Sequence, residues 1–120
     1  RKIANHLDEI ILTEADLQPG ARIGIVSYGA SARSARHAVK LARQKGFDIS
    51  LLVLLTIWPF AEAQVEALGA QVDRLIVPEM NQGQLALEVE RLVGRHKVTR
   101  ISLANGEMIT PQMILEAIEA

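Results

Sequence analysis

The sequence predicts an α/β fold, an open and mostly parallel sheet of four to five strands with helices on both faces. Short apolar runs alternate with helix-like runs in a repeated strand–helix order, which indicates parallel strands joined by crossover helices. The strand-like runs are apolar at successive positions, as in strands covered on both faces. Hydrophobic residues make up 49% of the chain and aromatic residues 3%, so we expect an aliphatic core.

The first segment is predicted to lead into the domain rather than to belong to it. Lys2–Leu12 carries apolar residues at helical spacing, and the chain begins with Arg1 rather than methionine. We therefore expect residues 1–18 to be a connecting helix and linker from an upstream domain. Residues 19–120 are then the folded domain, and Asp16–Gly20 reads as a turn.

Two strands and one helix follow the turn. Arg22–Tyr28 and Ile49–Leu55 are almost continuously apolar and are predicted as the first two strands. Ser31 is a suitable N-cap for a helix over Ala32–Lys45.

The next predicted unit is a short helix followed by a strand. The helix runs over Ala61–Leu68, with Gly69 as its stop, and the third strand over Val72–Val77. The next helix is expected from Asn81, as N-cap, to about Val93.

The last unit has a weaker strand signal. Arg100–Leu103 is predicted as the fourth strand, and its direction is left open. Thr110 followed by Pro111 reads as an N-cap with proline at the first helical position, so a final helix should run to the end of the chain.

The junctions after the strands are the candidate site. The segments Tyr28–Arg33, Thr56–Phe60 and Glu79–Gln84 each follow a predicted strand. Carboxyl ends of parallel strands share one edge, where ligands or partners bind in open α/β sheets, so we expect these segments to lie together. Asn105–Glu107 joins them if the fourth strand is parallel. The alternative is that these residues only build turns.

Three features within these junctions have competing interpretations. Gly29–Arg33 could hold an anion at a helix start, but both the phosphate-loop and the dinucleotide glycine patterns are absent. The helix after it carries only basic charges, which indicates either a solvated face or a docking surface for an acidic neighbour. Trp58–Phe60 is either a hydrophobic plug over the sheet edge or an interface anchor.

Composition limits the chemistry of the chain. Without cysteine it has no thiolate for zinc, disulfides or iron–sulfur clusters, and its histidines lack metal-ligand spacing. A net charge of −1 argues against a general nucleic-acid binder, and no apolar run is long enough to cross a membrane. No catalytic constellation, metal site or cofactor site can be named, and a cytoplasmic location is expected.

Five short motifs occur in a fixed order along the chain. They are Ile25–Gly29, Ala32–Ala35, Thr56–Phe60, Glu79–Gln84 with Glu88 and Val89, and Asn105–Pro111 before the final helix. No single motif is specific, but with this order and spacing the chain resembles the second domain of the α subunit of 2-oxoacid:ferredoxin oxidoreductases. The Trp-Pro-Phe form is more similar to the 2-oxoglutarate or branched-chain enzymes than to the pyruvate enzymes.

The resemblance implies a fold like the transketolase C-terminal domain and a non-catalytic assembly role. The complete enzyme would oxidatively decarboxylate a 2-oxoacid, with 2-oxoglutarate as the expected substrate, to an acyl-coenzyme A with ferredoxin as electron acceptor. Its thiamine diphosphate, magnesium and iron–sulfur clusters would be held by an upstream domain of the same subunit, a thiamine-binding β subunit or other parts. The residues expected at domain or subunit contacts are Tyr28, Arg33, Trp58, Pro59, Phe60, Glu79, Asn81 and Gln84.

Two other functions compete with this one. The chain could be the C-terminal domain of a transketolase or of a 2-oxoacid dehydrogenase β subunit, which would use no ferredoxin. It could also be a free-standing nucleotide- or flavin-binding module, against which the missing phosphate-loop glycines count. The Glu79–Gln84 segment favours the ferredoxin-linked family.

Overall fold

The computed structural model describes residues 13–29, 31–55, 60–79, 84–101 and 109–120. The helix predicted over Lys2–Leu12 lies outside these ranges. The strands are β1 (Thr13–Asp16), β2 (Ile23–Tyr28), β3 (Ile49–Leu54), β4 (Arg74–Pro78) and β5 (Val98–Ile101). The helices are α1 (Ser31–Gln44), α2 (Glu62–Gln71), α3 (Gln84–Val93) and α4 (Pro111–Glu119), and a 3₁₀ turn, Arg95–Lys97, precedes β5.

The described strands form one five-stranded sheet in the order β1-β3-β2-β4-β5. β2 pairs in parallel with β3 and β4, and β4 pairs in parallel with β5. The open, mostly parallel sheet predicted from the sequence is therefore confirmed. The direction of the last strand, which the sequence left open, is parallel, and this strand begins at Val98, two residues before the predicted start.

Helices cover both faces of the sheet, and each face has its own apolar core. On one face α1 and α4 pack together, and on the other α2 packs against α3. Neighbouring residues of one strand face opposite cores, since Leu51 and Val53 belong to the first and Leu52 and Leu54 to the second. This alternation explains why the strands read as continuous apolar runs.

The start of the domain differs from the sequence prediction. Residues 13–18 were expected in a linker, but Thr13–Asp16 forms β1 and pairs antiparallel with β3. The sequence Thr-Glu-Ala-Asp has no apolar alternation, and three of its four residues are exposed. Its strand conformation comes from the free edge of β3, a tertiary partner that a local pattern does not reveal.

Gly69 was predicted to stop the second helix, but α2 continues past it to Gln71. The glycine lies inside the helix and is buried against Val93 of α3. Its small size therefore allows two helices to approach closely, which is a packing role rather than a terminating one. At the other end of the chain the prediction is confirmed, since the Thr110 side chain accepts a hydrogen bond from the Met113 amide at 3.2 Å.

Candidate functional site at the carboxyl edge of the sheet

The four parallel strands end at one edge of the sheet, which we call the rim. Tyr28 at the end of β2 pairs in register with Leu54 of β3, and Pro78 of β4 pairs with Ile101 of β5. The predicted convergence is confirmed for the described parts of the segments after β2 and β4, which leave out residues 30 and 80–83. Thr56–Pro59 and residues 102–108, which include Asn105–Glu107, lie outside the described residues.

Ser31 joins three elements at the rim. Its hydroxyl lies 3.0 Å from the carbonyl oxygens of both Tyr28 and Pro78, and 2.9 Å from the Ser27 hydroxyl. The sequence predicted Ser31 as an N-cap, but α1 begins at Ser31 itself and the described bonds run to carbonyl oxygens rather than to helix amides. At 2% exposure this hydroxyl is used to hold β2, α1 and β4 together.

Glu79 is the buried charge of the rim. One carboxylate oxygen accepts from the Leu85 amide at 3.0 Å and the other from the Ala86 amide at 2.6 Å. Its own amide donates to the Ile101 carbonyl oxygen at 3.0 Å. With 4% of the residue exposed, Glu79 caps α3 and places a negative charge at the positive end of the helix.

This capping role was not foreseen from the sequence. Glu79 was predicted at a domain or subunit contact, with Asn81 as the N-cap of the helix. Asn81 lies outside the described residues, and α3 begins at Gln84, whose side chain is not described. Glu79 precedes that start by five residues, beyond the spacing at which a capping box is recognised.

Phe60, predicted at an interface, is a residue of the core. It is 8% exposed and belongs to the core cluster between the sheet and helices α2 and α3. The structure therefore favours the hydrophobic plug for Phe60 over the interface anchor. Trp58 and Pro59, the other two residues of that motif, lie outside the described residues.

Tyr28 and Arg33 remain on the surface of the rim. Tyr28 is half-buried at the end of β2, and Arg33 is exposed in the first turn of α1. Within the described ranges Arg33 has no hydrogen-bond or ion-pair partner, and the first turn of α1 carries no acidic residue. A cation at the positive end of a helix is electrostatically unfavourable, so an acidic neighbour would stabilise it.

Two arginines of α1 and the lysine just after it pair with acidic residues of the same chain. Arg36 pairs with Glu14 and Arg43 pairs with Asp16, both acids lying on β1. Lys45 pairs with Glu119 at 2.9 Å. The acidic neighbour considered from the sequence is therefore in part β1 itself, which sequence reading had placed in a linker.

Another ion pair lies at β5, the edge of the sheet opposite β1. Arg100 on β5 donates from two nitrogens to the two carboxylate oxygens of Glu90, each at 2.8 Å. These hydrogen bonds, assisted by the positive charges of Arg100 and Arg95, lower the pKa of Glu90 against the opposing effect of desolvation. The same bonds raise the pKa of Arg100.

The described residues contain no group of three or more histidine, aspartate or glutamate side chains placed to hold a metal ion. None of the helices in the described ranges combines the length and apolar composition of a membrane span.

Residues 21–114 match the model of the pyruvate:ferredoxin oxidoreductase core domain II family. The chain belongs to this family. It is 39% identical over 118 residues to the 2-oxoglutarate synthase subunit KorA of Methanothermobacter thermautotrophicus, a match that covers 98% of this chain and 31% of that protein. The resemblance drawn from the sequence motifs is thereby confirmed.

Solved structures support the same membership of the core domain II family. A 2-oxoglutarate:ferredoxin oxidoreductase from Magnetococcus marinus, with 2-oxoglutarate, coenzyme A and succinyl-CoA bound, matches with a TM-score of 0.85 and 27% identity over 98% of this chain and 21% of that one. A split-gene transketolase matches with a TM-score of 0.74 and 15% identity over 88% of this chain and 40% of that one. At that identity the second match shows the fold alone, and it confirms the predicted transketolase-like architecture. This core domain II spans less than a third of the KorA relative.

Proposed function

We propose that this chain is a non-catalytic assembly domain of a 2-oxoacid:ferredoxin oxidoreductase subunit, most like the 2-oxoglutarate type. The observation that carries the proposal is the family match over residues 21–114, together with 39% identity to a 2-oxoglutarate synthase subunit. The complete enzyme would cleave carbon dioxide from a 2-oxoacid, transfer the acyl group to coenzyme A and pass two electrons to ferredoxin.

The rim is suited to assembly because its buried polar groups are already bonded within the domain. The Ser31 hydroxyl and the Glu79 carboxylate both hold backbone groups of this chain. Tyr28 and Arg33 remain at its surface and are available to an upstream domain or another subunit. Trp58, Pro59, Asn81 and Gln84 stay predicted contacts of the same kind.

The cofactors of such an enzyme fit poorly with the side chains described. Iron–sulfur clusters need thiolate ligands, and the sequence has no cysteine. The described ranges offer no carboxylate cluster for magnesium, whose site would also hold the thiamine diphosphate. We therefore place these groups in an upstream domain and in a thiamine-binding β subunit, with a cytoplasmic location for the whole.

Reconstitution of the complete enzyme tests the activity. The full-length polypeptide that contains residues 1–120 is expressed with the subunits encoded beside it, and ferredoxin reduction is followed with coenzyme A and each of 2-oxoglutarate, 2-oxoisovalerate and pyruvate. We expect the highest kcat/KM with 2-oxoglutarate. A ketol transfer between sugar phosphates without ferredoxin reduction would instead support a transketolase.

Charge reversal tests the assembly role separately. We expect Arg33→Glu to weaken subunit association, measured by native mass spectrometry or analytical ultracentrifugation, while Tm stays unchanged. Lys40→Glu is the matched control, because Lys40 is exposed on the same helix away from the rim. Equal effects of the two substitutions would contradict a contact at the rim.

A further inference from the structure

β1 lies at the edge of the described sheet and contributes to neither apolar core. It pairs only with β3 in the described sheet, and none of its residues belongs to the two core clusters. β3 beneath it is buried along its whole length. Apolar burial therefore stabilises β3 but hardly β1, which depends on its backbone ladder and on polar side-chain contacts.

Most of those polar contacts meet at Arg43. Its Nε atom donates to Gln18 Oε1 at 3.0 Å, and Nη1 lies 3.1 Å from both carboxylate oxygens of Asp16. Nη2 donates to the Ile49 carbonyl oxygen at 2.7 Å and lies 3.3 Å from the Asp16 carbonyl oxygen. All three guanidinium nitrogens of Arg43 therefore make contacts, and these link α1 to the end of β1, to Gln18 and to the start of β3.

Gln18 extends this arrangement to the loop after β1. Its Oε1 atom also accepts from the Ile49 amide at 3.1 Å, and its Nε2 atom donates to Asp48 at 2.8 Å. Its backbone amide donates to the buried Ser50 hydroxyl at 2.9 Å. We call Arg43, Asp16 and Gln18 the β1 clasp. These three residues join the end of β1 and the loop after it to the start of β3.

The other ion pair of β1, between Arg36 and Glu14, is weakened by its exposure to solvent. Arg36 and Glu14 are each about half exposed as side chains, at 50% and 54%, and exposed pairs of this kind contribute little. Asp16 is 58% exposed as a side chain, but Arg43 is only 31% exposed and bonds to two backbone carbonyl oxygens as well as to the carboxylate. The β1 clasp, rather than the Arg36–Glu14 pair, therefore dominates the attachment.

We infer that β1 is a strap that opens and closes as a unit on a sheet that stays folded, and that the β1 clasp sets how often it opens. Thr13 pairs with Leu54 at the rim, so β1 carries the chain away from the rim towards Gln18. Opening would uncover the backbone groups along the edge of β3. The β1 clasp is thus the part of the domain that keeps this edge covered.

Amide hydrogen exchange on the full-length polypeptide tests this inference. We expect Arg43→Gln to raise the exchange rate of residues 13–18 about tenfold, the effect of losing hydrogen bonds to a charged group, with β2, β4 and α4 unchanged. Lys45→Gln is the matched control, since it removes the same charge just after the same helix and, among the described contacts, breaks the pair with Glu119. It should change exchange in residues 13–18 less than twofold, roughly the value of an exposed pair.

Salt and a second substitution complete the test. Added salt should speed exchange of residues 13–18 in the native protein and have a smaller effect in Arg43→Gln, because only the Arg36–Glu14 pair is then left to screen. Asp16→Asn should reproduce the effect of Arg43→Gln, and it replaces that variant if Arg43→Gln does not fold. Unchanged exchange in residues 13–18, or an equal rise in β2 and β4, would overturn the inference.

Discussion

Gly69 of α2 faces Val93 of α3 so closely that a β-carbon on the glycine would lie 2.5 Å from the Val93 Cγ1 atom. Real β-carbons do not approach a neighbour to that distance, and Val93 is β-branched, so its χ1 angle has little freedom to adjust. The contact between α2 and α3, and with it the second core, depends on the absence of a side chain at residue 69.

Gly69→Ala should therefore destabilise the domain although alanine favours helix. Overpacking costs about 1–3 kcal/mol, which exceeds the gain of up to about 1 kcal/mol in helix propensity. Urea unfolding measures the difference. Val93→Ala combined with Gly69→Ala should recover part of the loss, and a Gly69→Ala protein more stable than the native one would contradict the close contact.

Loss of the Glu79 carboxylate should loosen the start of α3. Glu79→Ala leaves the amides of Leu85 and Ala86 without their acceptor, for which we expect a loss of about 2–3 kcal/mol in the free energy of unfolding. Glu79→Gln keeps one acceptor oxygen and should cost less. Glu66→Gln, an exposed change on α2, is the control and should leave stability unaltered. Faster amide exchange confined to Leu85 and Ala86 in the Glu79 variants would identify the cap directly.

The pair formed by Glu90 and Arg100 should make stability dependent on pH in the acid range. Because the folded state lowers the pKa of Glu90 below its ordinary value of 4.5, the folded protein binds fewer protons there than the unfolded chain. The contribution of the pair is present above that ordinary value and disappears as pH falls through the lowered one.

Glu90→Gln removes this contribution at every pH. The stability difference between the native protein and Glu90→Gln should thus be constant near neutrality and narrow as urea unfolding is repeated from about pH 7 down to about pH 3. In an Arg100→Gln background the same substitution should show no such narrowing. A difference that persists undiminished at acid pH would show that the pair does not titrate as described.

Trp58 and Phe60 should respond differently to truncation. Phe60 is buried in the second core, so Phe60→Ala should cost about 3–5 kcal/mol in the stability of the domain. For Trp58, predicted at a subunit contact, we expect Trp58→Ala to weaken subunit association more than it weakens the fold. Thermal unfolding and association are measured on both variants. A loss in Trp58→Ala as large as that in Phe60→Ala would place Trp58 in a core instead.

The parallel sheet could be predicted from the sequence because its signals are local. Ile49–Leu54 is apolar at nearly every position, and Thr110 with Pro111 gives a helix start that needs no tertiary partner. β1 could not be predicted, because Glu14 and Asp16 adopt strand geometry only beside the edge of β3 and the cations of α1.

At the rim, too, the location of the polar residues could be predicted from the sequence but the role of each side chain could not. The position of the rim follows from strand direction, so the neighbourhood of Tyr28 and Glu79 could be predicted. The use of each side chain depends on distances of a few ångströms between separate segments, as when Glu79 reaches the amides of α3. Sequence reading therefore found where the polar groups gather and assigned Glu79 and Phe60 to contacts outside the domain that the structure places inside it.

Tyr28 is the one tyrosine of the sequence and Trp58 the one tryptophan. The described core clusters contain Phe60 and Phe47 as their aromatic residues, apart from Tyr28 at the end of β2. Tyrosine and tryptophan fluorescence of this chain therefore reports on the surroundings of Tyr28, at the rim and against the second core, and of Trp58. Far-ultraviolet circular dichroism reports instead on the helices and strands of the whole domain.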